Sequence, residues 1–293
     1  MFGGYKYIDC FDQCPVDLLV NSRKDQLSRL EQPYYNIAKI FKVLKKSPTA
    51  SYLLKEITTY NFNIVCDDQL SADTAGFHDN TSTLILPVFD DKIFVYKKNF
   101  AAALLTVASI LRRALKSNQG HFHRFDLEPL EYLRLIRLVE ADIDAVTIQI
   151  AWELRTAGEP HVWRQILADD KGDLAVIFTN SFNRYPVGQF DGRVLRSVYR
   201  QWFADPDRVN AADHKGLELL DMALAHPEYF TVEGDQKLSK NDIRKLQKNL
   251  PFSSYLDGIN VFGRWFDGLK DPFNQTHLHH ILQDLDYIQN YHS

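Results

Sequence analysis

Two long amphipathic segments joined by a short histidine-bearing loop constrain this chain more than any other feature. From Asn99 to Lys116, the residues Phe100, Leu104, Val107, Ala108, Leu111 and Leu115 recur at helical spacing. Asn99 is a candidate N-cap, and Arg112, Arg113 and Lys116 suit the negative end of the helix dipole. The second segment opens near Asp126, carries Pro129 in its first turn, and stops at Gly158. Its apolar positions Leu133, Val139, Ile143, Val146, Ile150 and Leu154 follow the i/i+3/i+4 pattern. Glu140, Asp144 and Thr147 share a flank of that helix. Like charges one turn apart repel by about 0.2–0.5 kcal/mol, so Glu140 and Asp144 call for a partner.

A chain of 293 residues that is 45% hydrophobic can bury about three quarters of its unfolded surface, enough for one large core or two small ones. Lys plus Arg number 34 and Asp plus Glu 38, giving 34 − 38 = −4, with both signs dispersed along the chain. That distribution argues against a nucleic acid or an anionic membrane as the main partner. No apolar run reaches the length of a membrane span, and the first residues lack the pattern of a secretion signal, so the expected compartment is the cytosol. Three cysteines, Cys10, Cys14 and Cys66, without C-x-x-C spacing predict thiols in a reducing compartment.

In chain order, residues 1–22 read as an irregular arm with Pro15. Ser22 or Asp25 is a possible cap for a helix through Leu30, Tyr34, Ile37, Ile40, Phe41 and Leu44, with Pro33 marking an interruption or a restart. Thr49 to Ile57 reads as a short helix, Asn61 to Cys66 as a strand, and Asp67 to Asn80 as a loop around Gly76. Thr81 to Leu86, followed by Pro87, reads as an edge strand, and Lys92 to Tyr96 as a third strand pairing with it. Beyond the two long helices, helices are predicted over Trp163–Asn180, Val194–Phe203, Lys215–Leu224 and Lys240–Lys248, with a last one from Asn274 or Thr276 to Asn290. The turn Asn183 to Gly188 and the stop signals Asp205-Pro206 and His226-Pro227 separate them.

The predicted fold class is therefore α+β and mainly helical. An N-terminal arm and helix spans 1–48, a core of small sheet and two long helices spans 49–160, and a C-terminal helical region packed on that core spans 161–293.

Between about residues 50 and 160 the order of elements resembles the zincin-like fold, and more closely a bacterial metallopeptidase family. The resemblance rests on Arg137-Leu-Val-Glu140-Ala-Asp142-Ile-Asp-Ala145 and Ala151-Trp-Glu-Leu154, which match that family's second helix. It implies that the first long helix carries His-Glu-Leu-Arg-His, two imidazoles one turn apart binding Zn²⁺ and a Glu acting as general base, with Glu140 as third ligand. Here that block reads Ser109-Ile-Leu-Arg-Arg113. Ser109 and Arg113 stand at the ligand positions and Ile110 at the position of the base. An alkyl group takes no proton, and a guanidinium does not discharge to bind a cation. The resemblance thus implies a degenerate relative with no expected metal, in which Arg113 replaces the ion and pairs with Glu140. In the other reading, Arg113 compensates the helix dipole and Arg137 serves Glu140.

Other residues offer alternatives. His121-Phe-His123, together with Glu140 or Asp126, is a candidate rebuilt Zn²⁺ site, or a solvated loop. His277 and His280 lie one turn apart and read equally well as an exposed polar face. Glu140 with Asp144 is a conceivable acid/base pair, although salt-bridged carboxylates fit the same pattern. Ser109 lacks the setting of a nucleophile, no phosphate-binding loop is present, and Trp152, Trp163, Trp202 and Trp265 read as packing residues.

Three functions follow as expectations. The first is a non-catalytic peptide- or protein-binding protein whose partner adds along the edge strand Thr81, Ser82, Thr83, Leu84, Ile85 and Leu86. The second is a hydrolase with metal held by His121, His123 and Glu140. The third is an assembly protein whose old cleft is filled by side chains.

Overall fold

The computed structural model describes residues 13–21, 32–71, 73–227, 232, 234–247, 250, 255, 256, 260, 263 and 268–291. The expectations placed on residues 1–12, Cys10, Ser22, Asp25, Leu30, Lys248 and Trp265 lie outside them. The architecture is α+β and mainly helical. The chain divides into two compact units, one of residues 1–118 with 146–172 and one of residues 119–145 with 173–293. The boundaries expected at 48/49 and 160/161 do not coincide with this division, because one long helix contributes to both units.

The first unit holds the four-stranded sheet, with strands β1 (Cys14–Pro15), β2 (Asn63–Asp67), β3 (Gly76–His78) and β4 (Thr83–Pro87) in the order β1-β2-β4-β3. Strand β4 pairs parallel with β2, setting Leu84 opposite Ile64 and Leu86 opposite Cys66, and antiparallel with β3, setting Leu84 opposite Phe77. The edge-strand reading of Thr81 to Leu86 is therefore corrected: β4 is an interior strand. All five of its residues are buried, as a strand covered on both faces requires. Pro87 fits because it is the last residue of the ladder, after which Val88 N–H resumes bonding to the carbonyl of Asp67 at 3.2 Å. The edge strand beside β4 is β3, which lies in the segment read as a loop around Gly76.

Lys92 to Tyr96 is not a strand. Asp90 accepts a hydrogen bond from Lys92 N–H at 3.0 Å and caps a 3-10 turn over Asp91–Phe94, so local capping overrides the alternating pattern.

Helices α1 (Val16–Asn21), α2 (Gln32–Leu44), α3 (Pro48–Thr59) and α4 (Lys97–Asn118) complete most of this unit, α2 starting one residue before Pro33. Helix α5 (Pro129–Thr156) is 28 residues of unbroken helix, about 42 Å long. Its residues from Val146 onward belong to the first unit, as does α6 (Pro160–Leu167). Trp152 meets Trp163 edge to face with centroids 5.1 Å apart.

The Ala151-Trp-Glu-Leu154 block gains a structural role here. Glu153 accepts from Ser47 Oγ at 2.5 Å, Thr49 N–H at 2.9 Å, Thr49 Oγ1 at 2.7 Å and Gln149 Nε2 at 3.0 Å. Ser47 in turn accepts from Ala50 N–H at 3.0 Å. A carboxylate is thus placed at the N-terminus of α3, where free amides and the helix dipole favour it.

The second unit contains the first part of α5 and helices α7 (Gly172–Arg184), α8 (Arg193–Trp202), α9 (Pro206–Ala225), α10 (Lys240–Leu246) and α11 (Pro272–Tyr291). The single helix expected from Trp163 to Asn180 is two, broken after Leu167. Asp205-Pro206, read as a stop, also opens α9: Asp205 accepts from Asp207 N–H at 2.9 Å, and Pro206 occupies a first-turn position that needs no amide. Ser239 and Asp242 form a reciprocal capping box at the start of α10. Helices α5 and α9 approach so closely that a Cβ on Gly216 would lie 2.6 Å from Leu133 Cδ2.

Among the described residues no helix is long and apolar enough to cross a membrane. Cys14 and Cys66 are free thiols.

Candidate functional site

The sequence points to two sets of residues, one in each unit. In the first unit, α4 presents Ser109 and Arg113 half-buried and Ile110 buried at 3% exposure. Arg112 and Lys116 are fully buried. Lys116 stands in the last turn of α4, where a positive charge suits the helix dipole, and both cations are buried. Burying a cation is costly unless it is paired, so both are part of the interior.

In the second unit, α5 carries Glu140 and Asp144, and the structure supplies each with a hydrogen-bond donor. Lys215 Nζ on α9 lies 2.8 Å from Glu140 Oε1 and 5.3 Å from the centroid of the Phe122 ring. Trp202 Nε1 on α8 donates to Asp144 Oδ2 at 3.0 Å. Neither donor is evident from sequence, because both come from elements 58 or more positions away along the chain. The charge pattern alone had signalled only that a partner was needed.

Arg137 is committed elsewhere. Its guanidinium forms a bidentate pair with Asp213, with Nε to Oδ1 at 2.5 Å and Nη2 to Oδ2 at 2.8 Å, and Nη2 also donates to the carbonyl of Gly268 at 2.8 Å. Both side chains are buried. The reading in which Arg137 serves Glu140 is corrected accordingly.

Around the same stretch of α5, Tyr199 donates to the Leu138 carbonyl at 2.7 Å, and the Tyr255 hydroxyl donates to Asp142. Burial, with Asp142 nearby, pushes the Tyr199 hydroxyl well above the ordinary phenol range. Asp142 of the Glu-Ala-Asp block therefore acts as an internal acceptor.

His121 and His123 occupy a 3-10 turn over His121–His123, His121 buried and His123 half-buried with its ring edge-on to Phe125. Among the described residues no group of three or more His, Cys, Asp or Glu side chains is gathered as a metal site. His121, His123 and Glu140 are accordingly not gathered in such a group among the described residues, and Glu140 is held by Lys215. Asp126, its alternative member, is bound by Arg124 through Nε at 2.8 Å and Nη2 at 2.9 Å, which holds its carboxyl below the usual range. His277 pairs with Asp221 across α9 and α11, while His280 is exposed.

A mixed four-stranded sheet in one unit, and a long helix bearing Arg137, Glu140 and Asp142 in paired positions among buried apolar residues, define the class as a mainly helical α+β protein. The model of the family described as "Putative metallopeptidase family (DUF6782)" matches residues 22–215, and the chain belongs to that family. No curated protein and no solved structure matches the chain.

The family name implies a metal. At the positions where the resemblance would put its ligands and base, Ser109, Ile110 and Arg113 carry a hydroxyl, an alkyl group and a guanidinium, none of which suits that role. Glu140 is already neutralised by Lys215.

Proposed function

We propose that this member of the family has given up metal chemistry and works by binding a peptide or protein segment. The observation that carries the reading is the 2.8 Å contact of Lys215 with Glu140. The carboxylate that the resemblance makes the third zinc ligand is held by a cation supplied from the chain itself. The loss of imidazole and carboxylate at Ser109, Ile110 and Arg113 supports the same conclusion.

A zincin-like core is supported by the order of its elements: a parallel pair of strands, an antiparallel edge strand and two long helices. Among the described residues, β3 (Gly76–His78) pairs only with β4, so its outer edge is where an extended segment would add by main-chain hydrogen bonds. Free thiols at Cys14 and Cys66 support a reducing compartment, such as the cytosol.

The test is the metal content of the full chain after equilibration with Zn²⁺ and gel filtration, read together with its Tm. The expected result is zinc well below one equivalent and no rise in Tm. One retained equivalent that Glu140→Gln abolishes would overturn the proposal.

A further inference from the structure

Between α7 and α8 the chain passes through a 3-10 turn over Pro186–Gln189 that displays apolar side chains on the outside. Tyr185 is 49% exposed, Val187 67% and Phe190 62%, with Val176 at 48% farther back on α7. The turn is not a loose tip. Gly188 N–H bonds to the Tyr185 carbonyl at 2.8 Å and Phe190 N–H to the Val187 carbonyl at 3.0 Å. A Cβ on Gly188, itself buried, would meet Tyr185, Arg193 and Val194 at 3.4 Å each, so the backbone is folded down on the start of α8. Apolar side chains held outward on an ordered backbone lose little conformational freedom when a partner covers them.

The surroundings of the turn are cationic. On α8, Arg193, Arg196 and Arg200 fall at i, i+3 and i+7 and share a face, and Arg184 ends α7 beside the turn. The Arg193 guanidinium stacks 5.3 Å over the Tyr185 ring while pairing with Asp191 at 2.7 Å. Arg196 Nε donates to the Tyr255 carbonyl at 3.1 Å. From residue 172 to 203 there are four arginines, no lysine and two aspartates, so this stretch is net positive in a chain whose total is −4.

Arginine with Tyr and Phe, and without Lys, is the composition of protein interfaces. A guanidinium sheds water more readily than an ammonium and meets carboxylates through a fixed fork. A single-stranded nucleic acid needs aromatic faces for successive bases, and here Arg193 covers a face of Tyr185 and Val187 offers none, which leaves Phe190 alone.

We propose that the Tyr185–Phe190 turn and the arginine face of α8 form a docking surface for an acidic protein segment bearing an apolar or aromatic anchor. The anchor sits on Val187 and Phe190, and the carboxylates meet Arg193 and Arg200. This surface does not depend on the reading of the metallopeptidase positions given above.

To test it, a random dodecapeptide display library is panned against the full chain. The enriched peptides are then measured by fluorescence anisotropy, with a single-stranded RNA oligonucleotide as a second probe. Val187→Ser/Phe190→Ser and Arg193→Glu/Arg200→Glu are compared with the parent chain, circular dichroism confirming that both are folded. All four side chains are exposed, so neither variant disturbs a core. The expected outcome is enrichment of Asp- and Glu-rich peptides carrying Phe, Leu or Trp, binding that weakens with added salt, and a loss of about tenfold or more in each double variant. Absence of enrichment, enriched peptides without acidic residues, binding indifferent to both variants, or tighter binding of the RNA would overturn it.

Discussion

The ammonium of Lys215 on α9 stands 2.8 Å from the carboxylate of Glu140 on α5, with the Phe122 ring beneath it. Removing the cation leaves a carboxylate that is only 15% exposed without this donor. Lys215→Met is expected to cost about 1 kcal/mol in urea unfolding, since the lysine itself is partly solvated. The double variant Lys215→Met/Glu140→Gln is expected to recover most of it. A Lys215→Met variant as stable as the parent would show that the contact carries no charge compensation.

The Arg137–Asp213 pair is buried on both sides, and its two members behave differently when removed singly or together. Arg137→Met strands a buried carboxylate and is expected to cost about 3–5 kcal/mol. Arg137→Met/Asp213→Leu removes both charges and is expected to be much less destabilised than the single variant. Guanidinium denaturation of the parent, both singles and the double gives the coupling directly.

Glu153 closes the N-terminus of α3 through Ser47, Thr49 and the Thr49 amide. Glu153→Ala is expected to cost about 2 kcal/mol, at the upper end of what capping contributes, because a charge and several hydrogen bonds are lost at once. In hydrogen exchange, the amides of Thr49 and Ala50 should lose protection before the rest of α3.

His161 stacks on Phe100 with ring centroids 6.0 Å apart, and its Nδ1 faces Glu159 at 3.6 Å. Burial first, and then the positive charges of Lys97, Arg164 and Lys46, hold its imidazole below its ordinary value, with Glu159 opposing. The unfolded chain therefore binds this proton more readily than the folded one. Stability contributed by the neutral ring is complete above about pH 6.5 and declines as pH falls below it. His161→Phe should flatten the fall in Tm between about pH 6.5 and 5 relative to the parent, and an unchanged pH profile would refute this assignment.

The periodic elements were legible from sequence because one face of each is buried: α4, α5 and α8 all lie where their apolar spacing places them. The sheet was harder. The three residues of β3 carry no alternation of their own, while Lys92 to Tyr96 alternates and yet turns under the Asp90 cap. The order of strands followed from neither, so β4 looked like an edge although it is an interior strand. At the candidate site, the need of Glu140 and Asp144 for donors was readable one turn apart on a helix. The identity of those donors was not, because Lys215 and Trp202 arrive through tertiary packing of distant segments. The burial of Arg112 and Lys116 was likewise hidden, since a basic residue near a helix end looks the same on paper whether it faces water or the interior.

Because the first unit is assembled from residues 1–118 and 146–172, with 119–145 allotted to the other, its interior is incomplete until the ribosome has passed the end of α6. A nascent chain halted at residue 145 carries the sheet and α4 but lacks the Glu153 carboxylate that finishes α3 and the Trp152–Trp163 contact. Neither unit is a contiguous fragment that can be expressed by cutting the gene once, and the sheet and α4 are synthesised before the part of α5 that completes their unit.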